Sequence, residues 1–113
     1  MAYDEGVAER VREIVQTRPG MAEKKMFGGL AFMSRGHMFI GVVGSRLMAR
    51  IGPIGYAEAL SKPHVREMDF TGKPMKGYVF IEPDGFESDA ALADWVNQSQ
   101  AFAASLPPKL LKK

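Results

Sequence analysis

The chain has 113 residues, of which 46% are hydrophobic and 25% are charged, and its formal net charge is +2 at pH 7. This length and composition fit one soluble globular domain over residues 1–113. The sequence contains no cysteine, which excludes disulfides, thiolate nucleophiles and cysteine-based metal sites.

The charges are segregated along the chain. Residues 24–76 carry nine basic and three acidic side chains, whereas residues 1–23 and residues 77–113 each carry five acidic and three basic ones. A basic centre can help to recruit an anionic partner. No apolar run approaches the roughly 20 residues that span a bilayer, and the acidic first residues do not resemble a signal peptide. We therefore expect a cytoplasmic protein that does not contact a membrane.

The first segment, residues 4–18, predicts a helix. Val7, Val11 and Val15 recur on one face of that helix at four-residue spacing. Asp4 is a suitable N-cap, and Pro19 with the glycine that follows it ends the segment.

Three short apolar runs follow, at residues 25–33, 37–43 and 46–51. Glycine-containing connections of two or three residues separate them, which predicts an antiparallel meander. Gly28 and Gly29 interrupt the first run. Paired glycines inside a strand indicate a bulge or a close approach of another backbone segment.

The second half predicts a short helix over 53–60, a strand over 66–70, a loop over 71–77, a strand over 78–82 and a final helix capped by Ser88. Trp95 lies in the middle of the apolar stripe of this last helix, so we expect it to be buried. The predicted fold class is α+β, in the order α-β-β-β-α-β-β-α, with a mostly antiparallel five-stranded sheet covered by helices on one face. Residues 1–6 and 107–113 are expected to be flexible ends.

Several stretches carry a resemblance to a known family. The run 26–32, which contains Gly28 and Gly29, resembles the opening strand of the TfoX N-terminal domain family, and the runs 37–43 and 47–51 resemble its next two strands. The stretch 72–78, which contains Gly72 and Pro74, is similar to the family's late glycine-lysine-proline-methionine loop. Trp95 lies where the family's last helix has a tryptophan. The resemblance covers roughly residues 10–106.

The resemblance implies a fold similar to that of type III secretion chaperones. TfoX (Sxy) proteins regulate bacterial competence for DNA uptake and carry a second, C-terminal helical domain. This sequence ends at Lys113 without such a domain, so we expect a stand-alone copy, to which the competence role does not transfer directly. The family offers no catalytic residues to carry over.

The residues themselves give little support for catalysis or for a metal. His64 lies near Glu67 and Asp69, but the spacing does not place all three on one face of a strand. His37 opens a different strand. The serines available to a triad occur in turns and outside any nucleophile-elbow pattern: Ser34, Ser45 and Ser61. We therefore predict no catalytic, cofactor-binding or metal-binding residue.

The loop over residues 71–77 combines glycines with Lys73 and Lys76 and could hold an anion. It does not match a Walker loop, and Pro74 removes a backbone donor. A structural loop is the favoured interpretation.

The predicted sheet has two apolar faces, and helices are expected to cover only one. We assign Phe39, Met48 and Phe80 to the other face and predict that it forms or adjoins a homodimer interface, because an exposed apolar face is a liability in a monomer.

The leading hypothesis is a non-catalytic binding or regulatory module that acts through protein–protein contacts and self-association. The alternative is a module that binds an anion or a nucleic acid. In the second case the bases of the nucleic acid would stack on Phe39, Tyr78 and Phe80. A small enzyme comes third. The cations available to the alternative are Arg35, Arg46, Arg50, Lys73 and Lys76.

Overall fold

The computed structural model describes residues 3–26, 28–69 and 74–106. Its elements, in chain order, are α1 (Glu5–Val15), β1 (Met21–Met26), β2 (Gly29–Ser34), β3 (His37–Val43), β4 (Arg46–Arg50), α2 (Tyr56–Leu60), β5 (Val65–Asp69), β6 (Pro74–Ile81), a 3₁₀ helix (Pro83–Phe86) and α3 (Asp89–Ala104). The strands form one sheet in the order β1-β2-β3-β4-β6-β5, and all neighbours are antiparallel. The predicted α+β class is confirmed, with six strands instead of five.

The additional strand arises at the paired glycines. The prediction of one strand over residues 25–33 is wrong, because the chain reverses there and β1 pairs with β2 as a hairpin. Gly28 has a φ of +73°, which a residue with a side chain rarely adopts. A Cβ atom on Gly29 would lie 2.1 Å from the carbonyl oxygen of Val42. The prediction of a close backbone approach at these glycines is therefore confirmed at Gly29, whereas the alternative of a bulge inside one strand is wrong.

The first and last helices begin at side-chain caps, as the sequence predicted. The Asp4 carboxylate accepts hydrogen bonds from the backbone N–H groups of Gly6 and Val7 at 2.8 and 3.2 Å. The Ser88 hydroxyl accepts one from the N–H of Ala91 at 3.1 Å. These bonds satisfy donors that a helix cannot satisfy internally. Within the described part of the chain, no helix is both long enough and apolar enough to cross a membrane.

Other boundaries differ by a few residues from those predicted. The short second helix begins at Tyr56 rather than at position 53, and β6 begins at Pro74, inside the stretch predicted to be a loop. Gly72 and Lys73 lie outside the described residues. So do residues 1–2 of the predicted N-terminal flexible end and the whole of the predicted C-terminal one, 107–113, whereas Glu5 and Gly6 belong to α1.

The helices cover one face of the sheet, as expected. Trp95 is 5% exposed, and its indole Nε1–H donates a hydrogen bond to the carbonyl oxygen of Gly85 at 3.2 Å. The predicted burial of Trp95 is thus confirmed. The core between helices and sheet joins all three α-helices and includes Val11, Leu30, Phe32, Phe39, Ile40, Val42, Leu47, Ala59, Val79, Ile81, Phe86, Leu92 and Val96.

A β-bulge in β3 changes which residues face the helices. Phe32 pairs with Ile40, but the next residue, Met33, pairs with Met38, so Phe39 is an extra residue in its strand. An extra residue shifts the alternation of side chains between the two faces. Phe39 therefore enters the helix-covered core, and Met38 lies on the opposite face.

Candidate binding face of the sheet

The side of the sheet away from the helices is called the second face. Antiparallel partners project to the same side of a sheet, so the strand register identifies its members. Its apolar centre is a cluster of its own, separate from the helix-covered core. The described side chains of the second face are Ala22, Lys24, Ala31, Met33, Met38, Val43, Arg46, Met48, Arg50, Arg66, Met68, Tyr78, Phe80 and Glu82.

The apolar centre of the second face is closed within a single chain. Met48 is 1% exposed and Phe80 is 3% exposed. Phe39, predicted to lie beside them, is fully buried on the other side of the sheet because of the bulge, so its assignment to this face is wrong. The area argument for a homodimer assumed that these three side chains are exposed. Their burial removes that assumption but does not test the oligomeric state.

Arg46 lies over the ring of Phe80. Its guanidinium carbon is 3.9 Å from the ring centroid, which is a cation–π contact. The ring holds the planar guanidinium in place while Arg46 stays half-exposed. This face of Phe80 is therefore occupied, and the predicted stacking of a base on it would require Arg46 to move.

Arg50 projects from the same side of β4, but it makes more contacts within the domain than Arg46 does. Its guanidinium carbon is 5.6 Å from the ring centroid of Tyr78 and 5.4 Å from that of Phe102 in α3. Its Nη1 also lies 3.5 Å from the carbonyl oxygen of Met38. These contacts fix the side chain at the end of the sheet.

Two further cations lie on the second face. Arg66 is the cross-strand partner of Phe80, and its side chain is 71% exposed. Its Nε is 3.4 Å from a carboxylate oxygen of Glu82. Lys24 lies on the edge strand β1, opposite Ala31, and is exposed. The described residues thus give this face four cations and one carboxylate.

The predicted anion-binding residues are only partly brought together. Arg46 and Arg50 share the second face. Arg35 lies in the β2–β3 turn with a φ of +52°, and its backbone N–H donates to the carbonyl oxygen of Gly20, so it is not part of the face. Lys73 and the side chain of Lys76 lie outside the described residues.

Sequence reasoning missed Lys24 and Arg66 as members of this surface. Both occur in strands whose face can be assigned only when the pairing partner is known. The alternation within β4 was enough to place Arg46 and Arg50 on one face.

A separate cavity of about 320 Å³ lies where α3 meets the 3₁₀ helix. The Lys62 ammonium is 5.2 Å from the ring centroid of Trp95 at this cavity, and the indole N–H is bound to Gly85. Its lining consists of Lys62, Pro63, His64, Asp84, Gly85, Ala91, Asp94 and Trp95. Among the residues that the structure describes, no group of three or more histidines and carboxylates could hold a metal ion.

Two groups away from the second face, Glu23 and Tyr56, have shifted pKa values. Hydrogen bonding to Arg12, against an opposing desolvation effect, lowers the pKa of Glu23 below its ordinary value. The Arg12 Nε donates to Glu23 at 2.6 Å, and this ion pair joins α1 to β1. Burial, and secondarily the charge of Glu67, raises the pKa of Tyr56. Both shifts have structural causes, an ion pair in the first case and burial in the second.

Comparison with known proteins gives one match. The family model of the TfoX N-terminal domain matches residues 13–103. This range runs from the last turn of α1 to the last turn of α3 and includes every strand of the sheet. No curated protein matches the chain.

Proposed function

The chain belongs to the TfoX N-terminal domain family, and from that premise we propose that it is a non-catalytic regulatory module that binds its partner through the second face. Family membership suggests a regulatory or competence-related role. The observation that carries the choice of surface is the set of cations on the second face, with Arg46 held against Phe80.

The difference in burial and charge between the two faces of the sheet supports this proposal. The helix-covered face is used to build the core, and its large side chains are almost completely buried. The second face presents charged groups at its surface above a closed layer of methionine and aromatic side chains. Arginine on such a support suits recognition of planar anionic groups, because its charge is permanent and its donors form a rigid fork.

A protein partner is one form of this proposal, and a second copy of the chain is a special case. A two-fold contact centred on the second face would bring Arg46 and Arg66 toward the same residues of the other copy, where like charges repel. The predicted homodimer therefore fits better with an interface beside the arginines than with one directly over them. A heterologous partner would need acidic groups to complement the face.

Affinity capture from a bacterial lysate tests the proposed surface. The test variant is Lys24→Glu combined with Arg66→Glu, since both side chains are exposed on the second face. The control is Lys25→Glu, which reverses one charge at the exposed neighbour of Lys24 on the opposite side of the same strand. We expect the test variant to lose partners that the wild type and the control retain. An identical set of partners for all three proteins would contradict the proposal.

A further inference from the structure

We infer that the second face binds the phosphate backbone of single-stranded nucleic acid. This inference deepens the proposed function and rests on it, since it names the class of partner for the same surface. It follows from where the cations lie, from what covers the aromatic rings and from which side of the sheet carries the helices.

The cations are spread across the whole width of the sheet. The strand register defines one row of side chains that crosses all six strands, with a lysine at one end and an arginine at the other. Neighbouring strands lie about 4.8 Å apart, so this row spans about 24 Å. Arg46 lies on β4, two residues before the member of the row on that strand, and adds a third cation over the Phe80 ring. In order, the row consists of Lys24, Ala31, Gly41, Met48, Phe80 and Arg66.

The geometry favours contacts to phosphates over contacts to bases. Phe80 is nearly buried, and the guanidinium of Arg46 lies over its ring. Single-strand binders that read bases use open aromatic platforms. The charged groups that reach solvent on this face are arginine and lysine heads together with the carboxylate of Glu82, which is paired with Arg66. The cations neutralise phosphates without regard to sequence.

The shape of the surface favours a single strand over a duplex. The described helices α1, α2 and α3 all pack against the other face of the sheet. Among the described residues, therefore, the second face has no helix to insert into a major groove. A flexible strand can follow a twisted sheet, whereas a stiff duplex meets only part of it.

The inference sets a measurable salt dependence. Arg50 lies at the end of the sheet between two rings and the carbonyl oxygen of Met38, so we leave it out and count three phosphate contacts, from Lys24, Arg46 and Arg66. For single strands the slope of log K against log salt is about −0.7 per contact, which gives about −2 for three. The affinity should then fall about 20-fold between 50 and 200 mM salt.

The experiment measures the fluorescence anisotropy of a labelled oligothymidylate of about 20 nucleotides, titrated with the full chain at several salt concentrations. Lys24→Gln and Arg66→Gln are each expected to weaken binding and to reduce the slope by about 0.7. Lys25→Gln, on the other side of β1, is the matched control and should leave both quantities unchanged. Circular dichroism of each variant verifies that it is folded.

Several outcomes would overturn the inference. These are an absence of binding at 50 mM salt, binding that does not respond to salt, equal effects of Lys24→Gln and Lys25→Gln, tighter binding of a duplex of the same length, or tighter binding of polyglutamate. If nuclease-treated lysate yields a protein partner that Lys24→Glu with Arg66→Glu loses, and the oligonucleotide does not bind, this inference fails and the proposed function stands. If capture is insensitive to those substitutions, the proposed function itself fails.

Discussion

Trp95 offers the most direct test of how α3 is packed on the sheet. Its side chain is 5% exposed, so replacing it by alanine removes nearly all of a large buried surface. A buried aromatic side chain covers about 150–250 Å², which at about 25 cal/mol per Å² is worth about 4–6 kcal/mol as an upper bound. The alanine methyl and a partly compact denatured state reduce this value. We therefore expect Trp95→Ala to lower the free energy of unfolding by about 3–5 kcal/mol.

The measurement is urea denaturation followed by circular dichroism, because Trp95 is the only tryptophan and its fluorescence is lost in the variant. A slope of about 1–3 kcal/mol per M converts the expected loss into a shift of the midpoint by roughly 1 M or more. Such a loss is a large part of the total stability of a small domain, so a second, milder variant is needed beside Trp95→Ala.

Trp95→Phe is the matched control that keeps the measurement interpretable. Phenylalanine retains most of the apolar contact but cannot donate the hydrogen bond that Nε1–H makes to Gly85. We expect this variant to be folded and destabilised by about 1–3 kcal/mol, from the lost hydrogen bond and a small cavity. A loss below about 1 kcal/mol for Trp95→Ala would refute the placement of this side chain in the core.

Three further predictions concern pairing, turns and assembly. The lowered pKa of Glu23 means that its ion pair with Arg12 stabilises the fold above the ordinary pKa of a glutamate, and that this stabilisation is lost as the pH falls. Because solvent screens the pair, Glu23→Gln should lower the free energy of unfolding by less than about 1 kcal/mol at pH 7 and should have no effect at strongly acidic pH. Denaturation curves that show a cost independent of pH would contradict this. Gly28→Ala should cost about 1–2 kcal/mol through its positive φ, whereas Gly29→Ala should cost more because its Cβ would collide with a backbone carbonyl; thermal unfolding in the reverse order would refute this interpretation. The homodimer predicted from the sequence should scatter light with the mass of two chains at tens of micromolar, and a mass of one chain would exclude it.

The first and last helices and their caps could be predicted because their signals are local. An N-cap such as Asp4 or Ser88 and an apolar stripe lie within a few residues of each other, so no distant partner is needed to recognise them. The boundary between β1 and β2 at Gly28 was harder to predict. A paired glycine in an apolar run is compatible with a bulge and with a turn, and only pairing with a second strand distinguishes them.

For the second face, too, the sequence predicted only what depends on residues close together in the chain. Alternation placed Arg46 and Arg50 together, since both belong to one regular strand. It failed at Phe39, because a single extra residue in β3 reverses the faces of the residues before it. It also could not assign Lys24 or Arg66, whose side of the sheet depends on register with strands that are distant in sequence.

The position of β6 between β4 and β5 has a consequence for the order of folding. Strands β1 to β4 are joined by short turns, so three successive hairpins can form from neighbouring residues. The β4–β6 ladder instead joins residues about 30 positions apart, and a loop containing α2 and β5 must close before it forms. Such non-local pairing slows folding. The β5–β6 hairpin should therefore dock last, and the speed of that docking should set the folding rate of the whole domain.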